Sequence, residues 1–340
     1  MGLLSVGMTA QEVIEVSTLN LGLQSEDYAP VLLDSGIVFC SVREASATIV
    51  YKDAETGKPL ADLYWSPLKD GTLAAPTLFS AKLTTPVNEG PAAFFEQGRS
   101  ICYTRNQALP KKLANLRSDG TLGLFFAQLE NGIWSDPLAI AHNYGQDSTM
   151  HPAVSPDGRF MIFASDQPGG HGGVDLYRCE RTATGWSLPT NLGLDINGPS
   201  NEVFPTLGPD GTLYFSSDRS DGLGKLDIYV ASASGTLWLH PEMLPEPFNS
   251  PGSAFNITLS HDGRRGYFSS DRSGTDRILA FQRTVPKFRN CNPQQPNNYC
   301  YTFKSKPHAA TSSLPLDHVW DLGDGQRVVV VLGEVVADTR

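Results

Sequence analysis

Apolar and polar positions alternate along most of this chain in short runs, and glycine, proline or aspartate breaks each run before it lengthens. FMIFAS from Phe160, TLYFSS from Thr212 and GYFSS from Gly266 are rich in aromatic and β-branched residues, the content of half-buried strands. Just before each lies a tight-turn pair, Asp157-Gly158, Asp210-Gly211 or Asp262-Gly263. Glycine there accepts positive φ and aspartate bonds the local backbone, so the pairs predict hairpins. A further strand follows as VDLYRC from Val174 and LDIYVA from Leu226. A last one carries a tryptophan after a glycine turn, Trp186 or Trp238.

These strands belong to a repeat. HPAVSPDGRFMIFASDQPGGHGGVDLY from His151, FPTLGPDGTLYFSSDRSDGLGKLDIY from Phe204 and FNITLSHDGRRGYFSSDRSGTDRIL from Phe255 are three copies of one pattern. Asp166, Asp218 and Asp271 mark the same point in each, so the period is 52 and then 53 residues. A period of that length with strand-turn-strand content predicts a β-propeller in which each repeat is one four-stranded blade. Two weaker copies come first. YAPVLLDSGIVFCS from Tyr28 continues into ADLYWS, and GPAAFFEQGRSICYTRN from Gly90 into LGLFFAQ and GIWSDP. Pro30, Ala92, Pro152, Pro205 and Asn256 align as equivalents, which makes five blades.

The fifth blade has no fourth strand after RILAFQ. NLGLQSEDYAP from Asn20 matches NLGLDINGPSNEVFP from Asn191, which follows a fourth strand. EVIEVSTL from Glu12 is therefore expected to complete blade five and close the ring, removing exposed sheet edges. The expected fold is all-β: a five-bladed propeller over 12–284, with a six-bladed ring that borrows from the tail as the alternative. Beyond 285 the pattern changes. The WDLGDG turn, with Asp317, Trp320, Asp321, Gly323, Asp324 and Gly325, resembles the hallmark of a PKD-type immunoglobulin-like domain. Residues 285–340 read as a linker and part of such a domain, or as a propeller-closing extension.

Charge and cysteines narrow the setting. Net charge −10 argues against a nucleic-acid partner, whose phosphates need a basic face. No stretch reaches the roughly 20 apolar residues of a membrane-spanning helix. Residues 1–11, with MGLLSVGMTA, resemble the end of a secretory signal with cleavage after Ala10, or are a disordered start. Cys40, Cys102 and Cys179 fall in strands and read as buried small hydrophobes. Cys291 and Cys300 bracket a polar turn-rich segment, as either a short-loop disulfide or two free thiols.

SPDGRFMIFASDQ with DLY, and GPDGTLYFSSDRS with DIY, resemble the TolB-type (PD40, WD40-like) propeller repeat over roughly residues 12–283. A similar repeat set occurs in PorE-like proteins of the Bacteroidota envelope and type IX secretion machinery. The resemblance implies an exported protein, periplasmic or associated with the outer membrane or cell surface. It further implies a non-enzymatic scaffold that binds an envelope protein or glycan, with a possible part in secretion or peptidoglycan organisation.

Catalytic motifs are absent: the sequence has no G-x-S-x-G elbow, H-E-x-x-H helix or phosphate-binding glycine loop. No catalytic residue, metal ligand or cofactor is assigned. A carbohydrate-active lyase or hydrolase working from the propeller itself is the alternative; only His151 and His171 map near one face. The repeated Asp218-Arg219 and Asp271-Arg272 read first as structural, with Asp bonding backbone amides and Arg pairing a carboxylate. The loops joining strands two to three and four to one are long and leave on one face, where recognition usually sits. Arg43, Arg105, His171, Arg219, Lys225 and Arg272 around that rim, with Asn201 and Glu202 at a blade entry, are the candidate binding residues. Arg43 and Lys225 read as lying outside the repeated SSDR pattern. Their charges on an acidic protein suit an acidic partner.

Overall fold

A computed structural model of the chain describes residues 13–22, 25–43, 52, 57, 59–107, 120–143 and 146–284, and the backbone of His318–Asp321, Arg327–Val331 and Glu334–Ala337. The chain divides into two compact units, Ile14–Gln282 and a second formed by Met1–Val13 with Arg283–Arg340. The first is a five-bladed β-propeller, and the described residues contain no helix.

Blade one has first, second and third strands Asp27–Leu33, Gly36–Ser41 and Asp62–Lys69; blade two has Glu89–Phe95, Ser100–Asn106 and Leu122–Glu130. Blade three follows with Thr149–Val154, Phe160–Ser165 and Asp175–Thr182, and blade four with Glu202–Leu207, Leu213–Ser217 and Asp227–Ala231. Blade five has Ala254–Leu259, Arg265–Ser270 and Arg277–Thr284. In blades one to three the outer strand is broken into two short pieces along the third. Blade five takes its outer strand from the other end of the chain: Val13–Thr18 pairs with Arg277–Thr284. The Leu19 N–H continues that pairing, donating to the Ile278 carbonyl at 2.8 Å. The ring thus closes at five blades through the N-terminal strand.

Apolar burial lies between blades. Each of the five seams holds one core cluster, and the seam between blades five and one gathers Leu21, Ile37, Phe39, Tyr64 and Ile278. The first strands of neighbouring blades adjoin all the way round the axis. Every one of these axial strands carries a bulge. The bulge residue is left-handed in each: Ala29 (φ 50°), Gly90 (97°), His151 (54°), Phe204 (51°) and Asn256 (48°). Asn256 therefore aligns with His151 and Phe204, one place before the prolines. Sequence alone aligned it with the prolines because Pro30, Pro91, Pro152 and Pro205 follow the bulge in the other blades, whereas Ile257 follows it here.

Non-glycine residues in this region are uncommon, so the surroundings must hold them. The bulge N–H supplies part of that hold by bonding a neighbouring blade. Ala29 donates to Ser269 Oγ at 2.8 Å and His151 to Thr104 Oγ1 at 2.9 Å. The Phe204 N–H meets Ala164 at the corresponding place and donates instead to His151 Nδ1 at 3.4 Å.

The described part of the second unit is a three-stranded antiparallel sheet that pairs Trp320 with Val328 and Asp321 with Arg327. Asp317, Gly323, Asp324, Gly325, Cys291, Cys300 and the signal-like residues 1–11 lie outside the described residues. Among the described residues, no helix is long and apolar enough to cross a membrane.

Candidate functional site

The loops between strands two and three and those between blades leave at the same end of the propeller and interlock there. Gly172 and Gly224 have no room for a side chain: a Cβ would lie 1.9 Å from the Ser200 carbonyl or 2.4 Å from that of Gly252. The loops before the third strands of blades three and four are each held from beneath by a buried aspartate. Asp175 accepts the N–H groups of His171 and Gly172 at 2.6 and 3.0 Å, and Asp227 those of Leu223 and Gly224 at 2.6 and 2.9 Å. The next blade entry is tied by the repeated aspartates. Asp166, Asp218 and Asp271 accept from the N–H groups of Ser148, Asn201 and Ser253 at 2.6, 2.7 and 2.6 Å. Asn201 adds its side-chain amide to Asp218 at 2.6 Å.

The repeated arginines hold the same framework. Arg219 pairs with buried Glu202 at 3.2 Å and reaches the Ile196 carbonyl; Arg272 reaches the Pro247 and Phe248 carbonyls. Burial raises the Glu202 pKa, and the Gly198 N–H, Arg219 and Ser217 oppose that rise. Arg43 does the same work in blade one. It grips Asp27 through two 2.8 Å bonds and donates to the Leu21 carbonyl at 3.4 Å. Its guanidinium carbon lies 5.3 Å from the Phe39 ring centre, matching Arg219 over Phe215 and Arg272 over Phe268, each at 5.3 Å. Arg43 thus stands inside the repeated SSDR pattern, not outside it. Serine, valine and arginine replace the familiar letters, so only strand register reveals the equivalence.

Of the candidate residues, His171 and Lys225 are exposed and their side chains form no hydrogen bond or ion pair among the described residues. Exposed Leu223 shares the Lys225 loop, and exposed Leu194 lies in the connection from blade three to four. The loops from blade one and blade two fall largely outside the described residues.

Sequence reasoning missed three asparagines that bind these connections to the third strands. Asn143, Asn197 and Asn249 each accept an N–H and return a side-chain N–H to the same residue, Leu124, Leu176 and Ile228 respectively. Their recurrence just before each blade entry was the available signal.

Blade two departs from this scheme. Where Ser41, Ser165, Ser217 and Ser270 stand opposite Asp62, Asp175, Asp227 and Arg277, blade two sets Arg105 opposite Gly123. A Cβ on Gly123 would lie 2.7 Å from Asn143 Nδ2 and 2.8 Å from Gln107 Cγ, so no carboxylate fits there. Arg105 is 9% exposed, and its guanidinium carbon sits 3.7 Å over the Phe125 ring. It forms no ion pair with Glu89, its partner across the strands. The Glu89 carboxyl is held by Thr85 and by Asp62; burial, then Asp62, pushes its pKa well above the usual carboxylate range.

No family model matches this chain, and no curated protein matches it. Solved structures do. TolB from Acinetobacter baumannii is 17% identical with a TM-score of 0.43, over 70% of this chain and 52% of that one. The chain thus spans about half the length of that protein. A TolB-type protein from Agrobacterium tumefaciens is 14% identical with a TM-score of 0.47, over 79% of this chain and 84% of that one. A protein of unknown function from Dyadobacter fermentans is 12% identical with a TM-score of 0.45, over 80% and 99%. Function is argued from this chain's own residues.

Proposed function

We propose that this chain is a non-enzymatic binding scaffold of the bacterial envelope, exported to the periplasm or outer membrane, that engages its partner through the long-loop face. One observation carries the reading. The loop backbones of blades three and four are pinned by Asp175 and Asp227, while His171, Leu223 and Lys225 project unengaged above them. A fixed backbone under free side chains lowers the ordering cost of binding. The envelope setting rests on the TolB-type and PorE-like resemblance of the repeats and on the signal-like start; a role in type IX secretion and the PKD-like nature of the tail belong to the same reading. The partner favoured is an acidic envelope protein.

The test is an affinity pull-down from native envelope with the intact chain, beside a His171→Glu/Lys225→Glu double variant. Both positions are exposed, so the variant is expected to fold normally and to lose its captured partner. Capture of the same partner with unchanged affinity and salt dependence would overturn the face assignment. A polysaccharide activity screen tests the enzyme alternative. Turnover abolished by His171→Ala would overturn the scaffold reading.

A further inference from the structure

Among the described residues, two arginines of this propeller pair with a buried carboxylate and a third, buried one does not. Arg43 has Asp27 and Arg219 has Glu202, whereas Arg105 has no carboxylate and no hydrogen-bond partner for its buried Nε. Its neighbour is the buried Tyr103 hydroxyl, a neutral group that supplies no counter-charge. The register position that supplies an aspartate in blades one, three and four is Gly123 here, and the space beyond it is filled. A buried cation without a carboxylate partner is costly. Retaining a costly group that the framework does not use is what a binding site does.

We propose that Arg105 is the anchor of a carboxylate-binding site on the long-loop face, taking an acidic side chain of a peptide segment. The inference rests on the scaffold reading above and names its anchor. Stacking on Phe125 fixes the guanidinium plane. Only Nε is sealed from solvent without a partner, which leaves the Nη edge to form the paired bonds that a carboxylate accepts. A peptide is favoured over an acidic glycan because no aromatic side chain is among the exposed large hydrophobics, so sugar rings have no stacking platform among the described residues. The exposed apolar residues on this face are Leu194 and Leu223.

The full chain would be titrated calorimetrically with a short oligoglutamate peptide and, separately, with oligogalacturonate, at low and moderate salt. Salt-dependent binding of the peptide is expected, with a loss of at least tenfold in Arg105→Met and a smaller loss in Arg105→Lys. Thermal melts keep the result interpretable. Arg105→Met preserves the apolar stem on Phe125 and removes the unpaired charge, so its melting temperature should equal or exceed that of the parent. A clearly lower melting temperature would make Arg105 a structural residue and overturn the proposal, as would equal peptide binding by parent and variant or no binding up to millimolar peptide. Preferential binding of oligogalacturonate would overturn the peptide assignment. If His171→Glu/Lys225→Glu loses the envelope partner while Arg105→Met keeps it, the face reading stands and this anchor falls.

Discussion

At the residue scale, the axial bulge makes a chemical demand that His151 meets. The Phe204 N–H needs an acceptor, and Nδ1 can accept only while unprotonated. The imidazole also stacks on Phe204 with ring centres 3.8 Å apart. Burial lowers the His151 pKa from 6.5 to about 3. The unfolded chain therefore binds a proton between pH 6.5 and about 3 that the folded chain refuses, so stability is full above pH 6.5 and falls as pH drops through that window. The slope is at most about 1.4 kcal/mol per pH unit. His151→Asn tolerates the left-handed backbone, as Asn256 does in blade five, and should flatten this part of the acid limb. Melting temperatures of both proteins from pH 7 to pH 4 check it; identical slopes would rule out His151 as the source. The buried asparagines give a second prediction. Asn249→Ala removes bonds to the N–H and carbonyl of Ile228 and to the Leu244 carbonyl, and should cost about 2–4 kcal/mol in denaturant unfolding. A change below about 0.5 kcal/mol would show that water replaces the side chain.

The tight turns were legible residue by residue, because Gly158, Gly211 and Gly263 need positive φ and nothing distant decides it. The role of Arg43 was not, since its partner Asp27 lies on another strand and the local letters differ from SSDR. His151 was legible only as a histidine near one face, for a similar reason. Its bulge exists because five first strands converge on the axis, a condition that no window around residue 151 contains.

At the element scale, the closing strand was legible from two distant segments that share one pattern. NLGL at Asn20 repeats NLGL at Asn191, so the residues before it had to be a fourth strand. In the folded ring Ile14 and Val16 pack on the cluster between blades four and five, and Leu21 is buried between five and one. Removing 1–22 strips these contacts and leaves the edge of Arg277–Thr284 unpaired. At about 1.5–3 kcal/mol for each fully buried aliphatic side chain, the loss is several kcal/mol. The melting temperature should fall by on the order of 10 °C. An unchanged value would mean that the strand only rests on a ring already closed. The broken outer strands were less legible. Thr190–Asn191 and Gly185–Trp186 are each only two residues long, and their placement depends on Trp186 crossing the seam to stack on Phe126 of blade two at 5.7 Å. The blade-two site was hidden in the same way. Arg105 was visible as a rim cation, but its isolation depends on Gly123 standing opposite it and on where Glu89 turns.

At the scale of the whole molecule, stability is a property of seams. Each core cluster is shared by two neighbouring blades, so no blade keeps its buried surface alone, and opening one seam exposes the faces of both neighbours. Ile14–Gln282 is compact by itself, and its five seams are filled from within the chain up to Phe281 and from the N-terminal strand. The outer strand of the fifth blade is Val13–Thr18, so the ring closes at five blades. A chain ending at Thr284 should therefore unfold in one cooperative transition, within about 3 °C of the full-length protein, a difference of roughly 1 kcal/mol for a domain of this size. It should also keep Cys40, Cys102 and Cys179 protected from thiol reagents until that transition, since all three are buried within the blades. Calorimetry and timed thiol labelling measure the two quantities on the same sample. Loss of cooperativity, or labelling of the three thiols well below the melting temperature, would show that 285–340 contributes to the ring.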